Sequence, residues 1–165
     1  MKWGSFCSLV LSLVILTGCG GRYTERPTEF RPEQGSLSSP QEKIVHAARD
    51  LIGVPYRFGG TTPEGFDCSG YVAYVYKRAI GKSLPRRTAD QIKFGKAISS
   101  SKMGPGDLLY FWIQEEKIFH VGIYIGGDRF IHAPSSQGEV SVQRLHTPYW
   151  SERYRGARRV IQDRA

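Results

Sequence analysis

The chain has 165 residues, 40% hydrophobic and 23% charged, with a formal net charge of +8. Composition and length are those of one globular domain with short appendages. The basic residues are scattered apart from Arg86-Arg87 and the tail Arg153, Arg155, Arg158 and Arg159; with no lysine-rich run or RNA-binding aromatic signature, no nucleic-acid partner is expected. The charge suits an anionic polymer or anionic lipid, or is simply a solvated basic surface.

The N-terminus reads as an address. Met1-Lys2 gives a positive start, and Phe6 to Leu16 is almost continuously apolar. That run is too short for a membrane span, which needs about 20 residues. It fits the core of a signal peptide, residues 1–18. Leu16-Thr17-Gly18-Cys19 resembles the bacterial lipobox, in which the Cys is acylated and becomes the first mature residue. Acyl chains on Cys19 would anchor the protein, each buried CH₂ contributing about 0.8 kcal/mol. Position 20 is Gly, not Asp, which by resemblance to enterobacterial sorting rules favours the periplasmic face of the outer membrane. Residues 19–39 form a linker with Pro27, Pro32, Gly35 and a Ser-rich end, and few apolar residues to bury.

The domain proper spans residues 40–165. Ser39-Pro40-Gln41-Glu42 reads as a capped helix start, with Ile44, Ala47, Ala48 and Leu51 at helical spacing and Gly53 and Pro55 as stops. A Gly-rich loop covers residues 59–65. Asp67 then caps a second helix over Cys68 to Ile80, with Val72, Val75, Tyr76 and Ala79 inward and Gly81 as its stop. Thr88 to Gln91 opens a short third helix. Beyond Gly104-Pro105-Gly106 the pattern becomes strand-like: Asp107–Trp112, Ile118–Ile125, Arg129–Ala133, Val140–Leu145 and Arg158–Gln162, with turns at 114–117 and 126–128. Helices first and strands afterwards predict an α+β fold with an antiparallel sheet.

The cysteines carry the chemical argument. Cys7 lies in the targeting segment and Cys19 at its end, so Cys68 is the one thiol of the domain. An unpaired thiol in an oxidising compartment calls for a reason. Asp67-Cys68-Ser69-Gly70 puts it on the first turn of a helix, where free N–H groups and the helix dipole favour the thiolate and offer donors for an oxyanion. Gly70 leaves room for close approach. His120, Gly122 and Tyr124 share one face of a strand, opposite the apolar Val121, Ile123 and Ile125. His132, on the next strand, can stand across from His120 and orient it, as the third member of a triad does. His46 and His146 have no such setting and read as surface residues. Zinc is the competing use of Cys68, His120 and His132, but the close ligand spacings that mark zinc are absent.

At these residues the chain resembles the NlpC/P60 family of cell-wall peptidases, in its small lipoprotein type. The resemblance runs over most of residues 41–162: Pro55-Tyr56-Arg57-Phe58-Gly59-Gly60, Phe66-Asp67-Cys68-Ser69-Gly70-Tyr71-Val72, Leu84-Pro85-Arg86 with Thr88 and Gln91, Pro105-Gly106-Asp107-Leu108, His120-Val121-Gly122-Ile123-Tyr124 and Phe130-Ile131-His132-Ala133. It implies a papain-like fold, the helix bearing Cys68 packed on a sheet bearing both His. It implies a Cys68–His120–His132 triad, with Tyr56, Asp67, Ser69 and Gly70 lining the site; on the residues alone Tyr56 reads equally as a core aromatic. Phe119 departs from the family, many of whose members have a small polar residue there.

The activity expected is hydrolysis of a diaminopimelate-containing stem-peptide or cross-link bond of peptidoglycan through an acyl-enzyme, with no metal and no cofactor. A transpeptidase or acyltransferase using the same thioester and a non-catalytic wall-binding module are the alternatives. The expected partners are peptidoglycan and, through Cys19, the membrane. The expected state is a monomer, with any regulatory adaptor left open.

Overall fold

The computed structural model describes residues 39–114 and 118–161. The expected signal segment, Cys19 and the linker up to residue 38 fall outside these residues, as do Gln162 and most of the 114–117 turn. Helix α1 (Pro40–Arg49) begins at Ser39, whose hydroxyl accepts from the Glu42 N–H at 3.1 Å while the Glu42 carboxylate accepts from the Ser39 N–H at 3.1 Å. This capping box satisfies two of the donors that a helix start leaves free. Ile44, Ala47 and Ala48 form its buried stripe.

A two-stranded hairpin, β1 (Thr61–Thr62) and β2 (Gly65–Phe66), stands where the sequence reads as a Gly-rich loop. Helix α2 (Cys68–Ile80) follows, between the Asp67 cap and Gly81 in the left-handed conformation at φ 70°. Tyr71, Val72, Val75 and Tyr76 are buried along it, and the Tyr71 hydroxyl donates to the Ala48 carbonyl at 3.0 Å, joining the helix to α1. Helix α3 (Thr88–Gln91) is the short third helix the sequence predicts.

The sheet contains β3 (Lys96–Ile98), β4 (Leu108–Ile113), β5 (Ile118–Gly126), β6 (Arg129–His132), β7 (Ser141–Arg144) and β8 (Tyr154–Arg159), in the spatial order β3-β8-β4-β5-β6-β7 with every pair antiparallel. The α+β architecture is therefore as expected, and β4 to β7 stand within a residue or so of their predicted bounds. The last strand starts four residues before the predicted Arg158. Tyr154-Arg155-Gly156-Ala157 has little strand character of its own, but β8 lies between β3 and β4 and gains a ladder on each side. Helix α4 (Pro148–Arg153) is short and not apparent from periodicity; it has Pro at its start and buries Trp150.

Both faces of the sheet are covered, where the sequence indicates a single core face. Val121, Ile123, Ile125, Leu108 and Tyr110 pack with α1 and α2. Leu109, Phe111, Ile113, Phe130, Leu145, Trp150 and Ala157 form a second, aromatic-rich cluster.

The start of α2 is held against the hairpin by close backbone contact. The Asp67 N–H donates to the Gly60 carbonyl at 3.1 Å, and a Cβ at Gly70 would stand 2.1 Å from that same oxygen. Gly70→Ala should therefore push the helix start off the hairpin, at a cost of about 2 kcal/mol or more. Chemical denaturation should show a lower midpoint with an unchanged slope, and an unshifted midpoint would contradict this packing.

Candidate active site

Cys68 is the first residue of α2 and is only partly exposed. It opens onto a cleft of about 630 Å³. Tyr56, Phe58, Trp112, Ile118 and Phe119 give the cleft an apolar wall, and Asp67, Arg86 and Arg87 give it a charged one. Phe58 is 91% exposed, and Trp112 and Phe119 pair edge to face across β4 and β5 with ring centroids 5.0 Å apart.

The sulfur is turned inward, 3.6 Å from the Thr88 hydroxyl. Main-chain N–H groups of Val121 and Ser69 donate toward it. It thus lies at the level of strand β5, against the residue that follows His120. Burial is the main influence on its acidity and pushes the thiol up; the Asp67 charge adds to this, while Thr88 and the two N–H groups pull back without reversing it. The helix N-terminus alone suggests a thiolate, but burial decides the sign and biases Cys68 toward the thiol.

Asp67 ties the helix start to the α2–α3 connection. Its carboxylate accepts from the Gly70 N–H at 2.7 Å, from the Ser69 hydroxyl at 3.1 Å and from Arg86 at 2.6 and 3.1 Å. Partial burial acts to raise its pKa, but the Arg86 and Gly70 hydrogen bonds, the Arg86 charge and the Ser69 hydroxyl prevail and hold the carboxyl below its usual range. Arg86 also donates to the Ser69 hydroxyl at 2.9 Å, and Gln91 donates to the Ser69 and Pro85 carbonyls at 3.1 and 2.8 Å. The Gly70 N–H is thus committed to Asp67, and that of Ser69 is directed at the Cys68 sulfur.

His120 and His132 are brought together as the sequence predicts, with His120 Nε2 2.7 Å from His132 Nδ1. Ile131 pairs with Ile123, which sets His132 beside Gly122. A Cβ at position 122 would lie 2.7 Å from the Phe130 ring and 3.3 Å from His132 Cβ, so a side chain there would force Phe130 and β6 to shift. Both imidazoles are buried on the aromatic face, bordered by Phe111, Phe130 and Trp150. Burial lowers His120 to about 4, and burial with the neighbouring His120 lowers His132 well below the usual value. Among the described residues, the polar partners of the Cys68 sulfur are Thr88 and the two main-chain N–H groups, and His120 is not one of them. Nε2 of His120 is the nitrogen engaged by His132.

His46 and His146 are exposed and paired with Asp50 and Asp128, in keeping with the surface reading. Tyr56 lines the Cys68 cleft, where the residues alone allowed a core position. Sequence reasoning gave no role to Thr88 or Arg86. They lie in the connection from α2 to α3 and at the start of α3, and nothing local shows that this stretch returns to the start of α2. Among the described residues no group of three or more His, Cys, Asp or Glu is disposed to hold a metal ion.

A helix-borne thiol beside an antiparallel sheet carrying a buried imidazole pair defines a class, and the family model described as NlpC/P60 matches residues 53–159. The chain belongs to the NlpC/P60 family. It is 42% identical over 121 residues to murein DD-endopeptidase MepS/murein LD-carboxypeptidase of Escherichia coli, covering 73% of this chain and 63% of that protein. The chain thus spans less than two thirds of that relative's length. It is 35% identical over 133 residues to a probable endopeptidase NlpC homolog of Haemophilus influenzae, covering 81% of this chain and 70% of that one. Among solved structures, an NlpC/P60 protein from Bacillus cereus superposes with a TM-score of 0.69 at 33% identity, over 74% of this chain and 40% of that one. The NlpC/P60 domain of the peptidoglycan hydrolase SagA superposes with a TM-score of 0.63 at 37% identity, over 72% and 97%.

The buried imidazoles link stability to pH. Folded His120 binds its proton near pH 4 and the unfolded ring near 6.5, so the unfolded chain takes up protons first as the pH falls. Its contribution is fully present above pH 6.5 and is lost between 6.5 and about 4. Unfolding free energy should drop by about 2 kcal/mol from pH 7 to pH 5 through His120, with His132 acting in the same direction. Urea unfolding at the two pH values checks this; equal stabilities would contradict the buried neutral pair.

Proposed function

We propose that this chain is an endopeptidase of peptidoglycan, cutting a diaminopimelate-containing bond with Cys68 as nucleophile. The observation that carries the reading is the juxtaposition of the partly exposed thiol with strand β5, next in the chain to a His120 whose far nitrogen is already held by His132. Substrate lies in the cleft over Cys68. The sulfur gives its proton to His120 Nδ1 and its electron pair to the scissile carbonyl. The developing oxyanion takes hydrogen bonds from the N–H groups at the start of α2 and from the Tyr56 hydroxyl. His120 then protonates the leaving amine, and afterwards draws a proton from the water that releases the acyl group. His132 keeps His120 oriented throughout. Each transfer is internal to thiol, imidazole, substrate and water, so the chemistry needs no metal and no cofactor.

Asp67, Ser69 and Gly70 hold the nucleophile in place, and the net charge of +8 suits the carboxylates of the wall. The murein activities in the name of the Escherichia coli relative favour the same polymer, and within it we assign the D-alanyl cross-link. The lipobox-like Leu16-Thr17-Gly18-Cys19 supports a domain tethered by an acylated Cys19 at the periplasmic face of the outer membrane. A linker of some twenty residues lets it reach on the order of 25 Å from that surface.

Incubating the protein with purified sacculi and identifying the released muropeptides by mass spectrometry tests this directly. Cross-linked dimers should disappear and monomers accumulate. Cys68→Ala should release nothing, and His120→Ala should slow release by about a thousandfold or more. A Cys68→Ala protein that cuts like the wild type would overturn the mechanism, and products extended by an amine acceptor would point to acyl transfer instead.

A further inference from the structure

We propose that Trp150 is a positioning residue that holds the His120–His132 pair in the one tautomer leaving His120 Nδ1 free to accept the Cys68 proton. The inference rests on the reading of Cys68 and His120 as nucleophile and base.

A neutral imidazole carries one N–H, and one hydrogen lies between His120 Nε2 and His132 Nδ1 across their 2.7 Å contact. Two arrangements satisfy that contact. In the first, His120 donates from Nε2, so its Nδ1 is bare and basic, and His132 carries its own hydrogen on Nε2. In the second, His132 donates from Nδ1, so His120 carries its hydrogen on Nδ1 and has no lone pair to offer the thiol. Catalysis needs the first. It leaves a fully buried N–H on His132, whose Nε2 has no hydrogen-bond partner among the described residues.

The surroundings of His132 are aromatic. Besides His120, the rings around His132 are those of Trp150, perpendicular at 86° with centroids 4.9 Å apart, and Phe130, tilted at 59° and 5.0 Å. The negative face of an aromatic ring attracts an N–H and repels a lone pair. With aromatic rings around it and no acceptor or donor bonded to Nε2 among the described residues, hydrogen on His132 Nε2 is favoured over a bare lone pair there. Trp150 also lies over His120, nearly parallel at 29° and 5.9 Å, within the range at which an indole stabilises a cation. It thus favours the imidazolium that forms when the proton leaves Cys68. Trp150 is itself fixed by edge-on contacts to Phe111, Phe130 and Tyr149 and by its place in α4, so its orientation is not free to relax.

Two-bond proton–nitrogen NMR of the full chain labelled at histidine reads the tautomers at neutral pH. The wild type should show both His120 and His132 protonated on Nε2. Trp150→Leu should give mixed tautomers and a kcat on soluble cross-linked muropeptides lower by about tenfold or more, with KM little changed. Trp150→Phe, which keeps a π face, should retain the wild-type tautomers and most of the rate. Wild-type His120 protonated on Nδ1 would overturn the inference. So would a Trp150→Leu protein with unchanged tautomers, whatever its rate, because Trp150 would then act through packing alone. Should Trp150→Leu not fold, the wild-type and Trp150→Phe spectra decide the matter, mixed tautomers in the Phe variant counting against it. The predicted tautomers in a protein that cleaves no muropeptide would support the role of Trp150 while removing the peptidase reading.

Discussion

The contact between His120 and His132 is the constraint on which the site depends. Two imidazoles 2.7 Å apart and shut away from water cannot both be charged, and burial keeps both neutral. Their closeness requires a residue without a side chain at position 122, and their dryness requires Phe111, Phe130 and Trp150 on the second face of the sheet. A sheet with one face in water would leave the rings solvated and nearer their ordinary acidity. Covering that second face is the job of α4 and the neighbouring strands, remote in sequence from Cys68.

The thiol side is arranged in a complementary way. Burial raises Cys68 and lowers His120, so both groups are biased toward their neutral forms. Charge separates only when a carbonyl is present to receive the sulfur electrons. Asp67 helps to enforce this. It caps α2 and is neutralised by Arg86, yet its remaining negative field still discourages a thiolate on the next residue. One carboxylate thus fixes the geometry of the nucleophile and restrains its ionisation. The cost is a slower nucleophile at rest, and the benefit is a thiol less open to oxidation.

Much of this was legible in the sequence because the signals are local. Asp67 and Gly81 mark the ends of α2, and alternation along His120 to Ile125 marks β5 and assigns its two faces. The placement of His132 against His120 follows from a tight turn between two such strands. What was not legible depends on distant chain. Strands β3 and β8 exist because they pair with each other and with β4, and α4 because Trp150 has a cluster to enter. The sign of the Cys68 shift was missed for the same reason. The helix N-terminus is visible from four residues, whereas burial is supplied by Thr88, Val121 and the packing around them.

The most direct measure of this account is the ionisation of Cys68 itself, followed by thiolate absorbance in the ultraviolet as pH is raised. A neutral resting pair predicts that the absorbance appears only above pH 9, the ordinary value from which burial raises the thiol, and that His120→Ala does not advance it. A thiolate already present at pH 5 to 7 in the wild type, and lost in His120→Ala, would show a standing ion pair and contradict the account.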